Sequence, residues 1–374
     1  EGIPKEYMST EFNPVKCYTN LIIEIEKNSE LLNDNAKLIF FELKTRPTKQ
    51  YTFDSPNGYY KIHYDKTGDH AVLNPDEDTN PADGHPDFVN RAAEYHDYVW
   101  QTEVIDMGYL SPPSDGSNVD DSKYYIYLHQ YSGAYGVCFP ESYIGSPNPR
   151  SYSSYIYIDP TFDGFPNTPL ENLQVTAAHE FHHAIQMTYD VFESSWYKEI
   201  TSTWIEDIVY DDVNDYYNYL SSFFSQPEIS LSNNSGVHEY AACIFNHYLS
   251  QTHGDSIIKD IWENLVGIND SEVYTALNTQ LPLYGSSSDY AFTEFTVWNY
   301  LTGVRRSNSY NGYEEGEDYP NISIQKYHHT YPVSLQEPDY DLPDYFGSNY
   351  IVFNSLPDSG TMLIGFEGDL SVDW

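Results

Sequence analysis

Five residues near the middle of the chain, His179-Glu180-Phe181-His182-His183, restrict what it can become more than any other stretch. They lie in Val175–Met187, a run without Gly or Pro and rich in alanine and large apolar side chains, which predicts a buried helix. On a helix, positions i and i+4 stack on one face, so His179 and His183 project together. Two imidazoles placed that way can share one Zn²⁺, with Glu180 beside them to take a proton from water on the metal. The competing reading is a core helix with hydrogen-bonded histidines, because a chain with thirteen His can produce the pentapeptide by chance. Context separates the two.

That context is Trp196–Asp207, just downstream. A catalytic zinc needs a third protein ligand and an open fourth position. Glu199 and Glu206 are the candidates; seven residues apart on a helix, they stand about 10 Å apart along its axis, so only one reaches the metal. Here the sequence resembles the gluzincin zinc peptidases, in which the third ligand is a Glu on the helix after H-E-x-x-H, often in W-x-x-E. Trp196-Tyr197-Lys198-Glu199 matches, with Ile200 where many members have Gly and a spacing from His183 somewhat shorter than is common. The resemblance favours Glu199 as the third ligand and leaves Glu206 as the alternative. Metzincins are excluded, because Gln186 and Tyr189 stand where their motif needs Gly and a final His.

Composition narrows the partners. Seventeen Lys and Arg against 57 Asp and Glu give a net charge of −40, which argues against nucleic acid or an anionic membrane surface. Hydrophobic residues at 40% and aromatics at 17% are enough for a core, so the charge does not signal disorder. No apolar run is long enough to span a bilayer. Strong acidity with scarce Lys suits an extracellular protein, secreted or on the cell surface, and a monomer is expected. The three cysteines, Cys17, Cys138 and Cys243, then predict one disulfide and one remaining thiol.

Residues 1–50 read as an N-terminal helical segment and candidate prosegment, ending in a linker at 45–50. Within it, Cys17 could occupy the open metal position and keep an enzyme latent. It resembles the latency cysteine of some metalloprotease prosegments, with Tyr18 in place of the usual glycine. Residues 51–310 form the expected catalytic domain. Strands are predicted at Tyr59–Tyr64, Tyr124–Leu128 and Ser154–Asp159, the last as the edge strand along the cleft. Asp76, Asp78, Asn80, Asp83 and Asp87 alternate as in an oxygen-ligand Ca²⁺ loop, although Pro81 breaks the EF-hand pattern. A helix at Gly236–Leu249 carries His238 and Tyr240 in its first turn, and Tyr240 is the chosen hydrogen-bond donor to a developing oxyanion. Residues 311–374 form a β-rich appendage.

From about residue 58 to 354 the order of motifs is similar to a group of secreted microbial metalloproteases without assigned substrates. The matching residues are Gly58–Tyr64, Pro86–Val89, Pro112–Gly116, His179–His183 and Glu199–Trp204. The expected class is therefore α+β: a zincin-like fold with a mixed sheet over the active-site helix, a mostly helical lower half and a small C-terminal β appendage. The expected function is a secreted zinc metalloendopeptidase acting on protein or peptide substrates. Zn²⁺ would sit on His179, His183 and Glu199, with Glu180 as general base and Tyr240 at the oxyanion. The alternative is a non-catalytic acidic module for calcium-dependent adhesion or glycan binding.

Overall fold

Tyrosine alternates with isoleucine or leucine along Tyr124–Leu128 and Tyr152–Ile158, and a period of two sends the two kinds of side chain to opposite faces of a sheet. In the computed structural model, which describes residues 15–113, 122–131, 133–266, 273–331 and 342–354, those stretches are central strands. The strands are β1 (Val15–Cys17), β2 (Tyr51–Asp54), β3 (Tyr60–Tyr64), β4 (Tyr124–Leu128), β5 (Ala134–Tyr143) and β6 (Tyr152–Ile158), in sheet order β1-β5-β6-β4-β3-β2. β3, β4 and β6 run parallel, while β2 and β5 are antiparallel to their inner neighbours. The outermost strand, β1, lies parallel to β5, pairing Val15 with Ala134 and Cys17 with Gly136.

Helices cover both faces. Ile126, Leu128, Ile156 and Ile158 pack into the main core with α3 (Asp87–Trp100) and α4 (Pro169–Tyr189). Tyr125, Tyr127, Tyr155 and Tyr157 face the other way, into a smaller cluster with Ile22 of α1 (Thr19–Lys27) and Phe40 of α2 (Asp34–Leu43). The stretch expected to be a linker is clamped onto that face: Arg46 makes two 2.7 Å bonds to Glu141, and Tyr157 donates to the Thr45 carbonyl. The rest of the described chain is mainly helical: α5 (Ser195–Val209), α6 (Tyr217–Phe224), α7 (His238–Ala241), α8 (Ile244–His253), α9 (Ser256–Leu265), α10 (Val273–Gln280) and α11 (Ser288–Tyr300). The class is α+β with a mixed sheet, and no helix among the described residues is long and apolar enough to cross a membrane.

Three expectations change. The strand expected at the sheet edge, β6, is interior, because β5 and then β1 add beyond it. The predicted helix at Gly236–Leu249 is two helices, since bonds from Phe245 and Asn246 back to Ala242 and Cys243 tighten the turn and break the line between α7 and α8. No disulfide joins Cys17, Cys138 and Cys243; they are buried thiols on β1, on β5 and between α7 and α8. In the C-terminal part, β7 (Lys326–His328) and β8 (Ile351–Phe353) form a parallel pair, whereas residues 355–374 of the expected β-rich appendage lie outside the described residues.

Candidate metal centre

Helix α4 starts where its sequence says it should. Thr168 and Glu171 form a reciprocal capping box, and Pro169 occupies the first turn, where its missing N–H costs nothing. The helix then runs buried through its whole second half against sheet, α3 and α5. Burial of Phe181, Ile185 and Met187, each worth roughly 2 kcal/mol, holds it there. His179 and His183 therefore have no freedom to turn away; both are 1% exposed.

Their Nε2 atoms face Glu199 on α5. His179 Nε2 lies 3.2 Å from Glu199 Oε2, and His183 Nε2 lies 3.6 Å from Glu199 Oε1. Cys17 enters from β1, and one ligand atom from each of Cys17, His179, His183 and Glu199 falls within 4.8 Å of all the others. Among the described residues this is the one His, Cys, Asp and Glu group that converges in this way.

Glu206 lies on the other side of His179. Its Oε1 accepts a 2.7 Å hydrogen bond from His179 Nδ1, and Gln186 Oε1 accepts one of 2.8 Å from His183 Nδ1. Both bonds fix the tautomer that leaves Nε2 lone pairs pointing at the cluster. Gln186 is anchored in turn, donating to the Lys198 carbonyl and to Thr201 and Ser202. His182, the third histidine of the motif, belongs elsewhere: its Nδ1 pairs at 2.8 Å with Glu103 in the π-helical turn Gln101–Asp106 that follows α3. Burial pushes Glu103 up and His182 down, favouring the uncharged form of each.

The chemistry of the cluster fits a zinc ion. His179 Nε2, His183 Nε2 and Glu199 Oε2 are buried without a hydrogen-bond partner, although they approach one another closely. Buried polar atoms are rarely left so unless something bridges them. Two imidazoles, a carboxylate and a thiol are a zinc donor set, and calcium would want oxygen throughout. Burial opposes a charge on His179, but Glu199 and Glu206 outweigh it and push the ring up to about 10. Burial, then Glu180 and Glu199, push the Cys17 thiol up.

The other expected residues divide. Glu180 is buried beside the cluster, and burial pushes its carboxyl up while His179 and His183 pull it down. A Cβ on Gly136 would lie 2.5 Å from Glu180 Cγ, so the absence of a side chain on β5 makes room for this carboxylate. Tyr240 on α7 is 5% exposed, with its ring 6.3 Å from that of His179. His238 instead packs on Phe223. Asp76, Asp78, Asn80 and Asp83 lie in an exposed or half-buried loop that leads into α3, whose first residue is Asp87.

Several participants carry no motif of their own. Three neighbours of Cys17 engage the site: Lys16 Nζ bonds Glu206 Oε2 at 2.8 Å, Thr19 Oγ1 donates to Glu180 Oε2 at 3.0 Å, and Asn20 Nδ2 donates to Glu199 Oε1 at 2.6 Å. Only Gln186, three residues after His183, had a readable spacing. A cleft of about 560 Å³ opens between α1 and the start of α5, lined by Asn20, Ser195, Trp196, Lys198 and Glu239. Burial and then the Glu199 charge push Glu239 up to about 9. No protein-family model matches the chain, and no curated protein matches it. The gluzincin likeness stands on the motif residues alone.

Proposed function

We propose that the chain is a zinc metalloendopeptidase with a zincin-like catalytic unit, held latent by its own N-terminal segment. The observation that carries this is the convergence of Cys17, His179, His183 and Glu199 within 4.8 Å, with Glu180 adjoining and no competing role for its inward oxygen. Zinc held by these residues would supply Lewis acidity, activating water near pH 7 and polarising a scissile carbonyl. His179, His183 and Glu199 hold it, and Glu206 and Gln186 keep the imidazoles aimed. Glu180 takes the proton of the attacking water on its carboxylate and delivers it to the leaving amine. Tyr240 donates a hydrogen bond to the oxygen that gains charge. Cys17 fills the position that water needs, while Thr19 ties down Glu180 and Asn20 ties down Glu199.

A second reading, a purely structural zinc, is favoured by the presence of four protein donors, the usual count at a closed site. Cys17→Ala separates the two. A latent hydrolase gains peptidase activity on loss of the thiol, whereas a structural centre loses zinc affinity and gains nothing. In the Cys17→Ala chain, Glu180→Gln should keep zinc and lower peptide cleavage roughly 10²–10⁴-fold. Undiminished cleavage would remove Glu180 from the mechanism.

A further inference from the structure

One residue before Cys17, the Lys16 side chain is threaded into the protein. It is 4% exposed, and its ammonium sits between Glu206 Oε2 and the Asp215 carboxylate, itself 1% exposed. The rings of Tyr219 and Tyr135 flank it, their centroids 5.1 and 5.5 Å from Nζ. Tyr135 is 2% exposed. Asp215 is braced on its other oxygen by the Asn167 and Asn218 amides at 2.7 and 3.2 Å. Among the described residues Lys16 is the only cation that Asp215 pairs with. The same side chain lines a crevice with Tyr135, Thr176, His179 and Glu180, so its pocket adjoins the candidate reacting groups.

On the hydrolase reading, a substrate reaches the centre only after residues 15–20 withdraw from the β5 edge. Withdrawal leaves Glu206 still bonded to His179, but leaves the buried Asp215 with the Asn167 and Asn218 amides and no counter-charge, in a pocket walled by Tyr135 and Tyr219. A buried carboxylate without a counter-charge is strongly disfavoured. The pocket is thus built for an ammonium on a flexible apolar stem, with charge at the bottom and aromatic faces along the sides. We propose that it is the enzyme's principal specificity subsite and selects a lysine side chain next to the scissile bond, with Asp215 as the determining residue and Lys16 as its resident mimic. A neutral side chain of equal length would leave Asp215 unpaired, the situation in which polar pockets discriminate most strongly.

The test has an arm that does not depend on catalysis. In the full chain, Lys16→Ala removes three methylenes and the amine, and n-propylammonium should refill the space. The expected result is a saturable rise in melting temperature with n-propylammonium chloride, absent with n-propanol at matched ionic strength and absent in Lys16→Ala/Asp215→Asn. Equal shifts with both solutes, or a shift that survives Asp215→Asn, would overturn the subsite. The second arm serves also if Lys16→Ala does not fold. The zinc-loaded Cys17→Ala chain should cleave lysine peptides roughly tenfold or more faster than norleucine peptides, and Asp215→Asn should shrink that ratio. A ratio near one overturns the proposal. Propylammonium binding without cleavage of any peptide would instead sink the hydrolase reading and leave the cation pocket standing.

Discussion

Residues 76–87 and the space enclosed by α4, α5 and β1 are both crowded with side chains that ligate metals, and they dispose of them in opposite ways. In the loop, three of the carboxylates are already occupied. Asp78 accepts the amides of Asp83 and Gly84, Asp83 accepts from His85 N and Asn90 Nδ2, and Asp87 accepts from Thr79 and from Asn80 N. These bonds close the turn into α3 and hold the Asp87 carboxyl below its usual range, with the Asn80 amide contributing most. In the buried cluster the outward atoms are tied, at His179 Nδ1 and His183 Nδ1, and His179 Nε2, His183 Nε2 and Glu199 Oε2 are left unmet. Acidic density marks neither case. What marks a metal centre is a set of buried donors whose remaining hydrogen bonds aim them at one another.

The largest effect expected from this contrast comes from taking the metal or one ligand away. Zinc binding the folded chain a thousandfold above its dissociation constant stabilises it by about 4 kcal/mol, all of it lost on chelation. His183→Ala should elute from gel filtration without zinc and show no further loss on chelation. Asp83→Asn in the loop should keep one zinc per chain, as measured by elemental analysis. Zinc retained by His183→Ala, or lost from Asp83→Asn, would break the comparison.

Next in size is Gly136→Ala. The new methyl would press on Glu180 Cγ and on Thr176 Cγ2, and neither has free space on a buried helix. A displacement of about 1 Å at a general base costs roughly 10²-fold in rate. Measured in the Cys17→Ala chain, cleavage should fall by that order while zinc content stays at one. Unchanged cleavage would mean that the contact with β5 does not position Glu180. Glu206→Gln acts on the metal instead: weakening the bond to His179 Nδ1 should loosen zinc about 10–100-fold in a competition titration.

The site was legible in the sequence wherever it is local and obscure wherever it is not. Spacing alone put His179 and His183 on one helix face with Glu180 beside them, and alternation gave β4 its full extent. Whether Glu199 or Glu206 faces the Nε2 atoms depends on how α5 is rotated and slid against α4. That is set by Trp204, Ile205 and Tyr197 packing into the shared core, which no spacing encodes. The edge of the sheet was missed for the same reason: β1 pairs with β5 across more than a hundred residues of chain. Lys16, Thr19 and Asn20 meet their partners over separations of 190, 161 and 179 residues. Such contacts leave no periodic trace, although a Lys directly before Cys17 was there to be read. The cysteine arithmetic failed because it assumed that thiols pair, whereas Cys17 points at imidazoles.

The smallest effect belongs to the loop, and it sharpens the contrast from the other side. Calcium takes six to eight oxygen ligands. To supply them, Asp78, Asp83 and Asp87 would have to release the backbone amides that they now accept, reopening the turn that starts α3. Asp78→Ala should therefore cost about 1 kcal/mol, the ordinary worth of such hydrogen bonds, through the exposed amides of Asp83 and Gly84. The same loss should appear by denaturant titration in chelator-treated buffer and in millimolar calcium, because the bonds concerned are between protein groups. A parent chain that calcium stabilises, with the gain abolished by Asp78→Ala, would show instead that the loop exchanges its amides for an ion. Unmet buried donors would then be one way to build a metal site in this protein and a rearranging turn another.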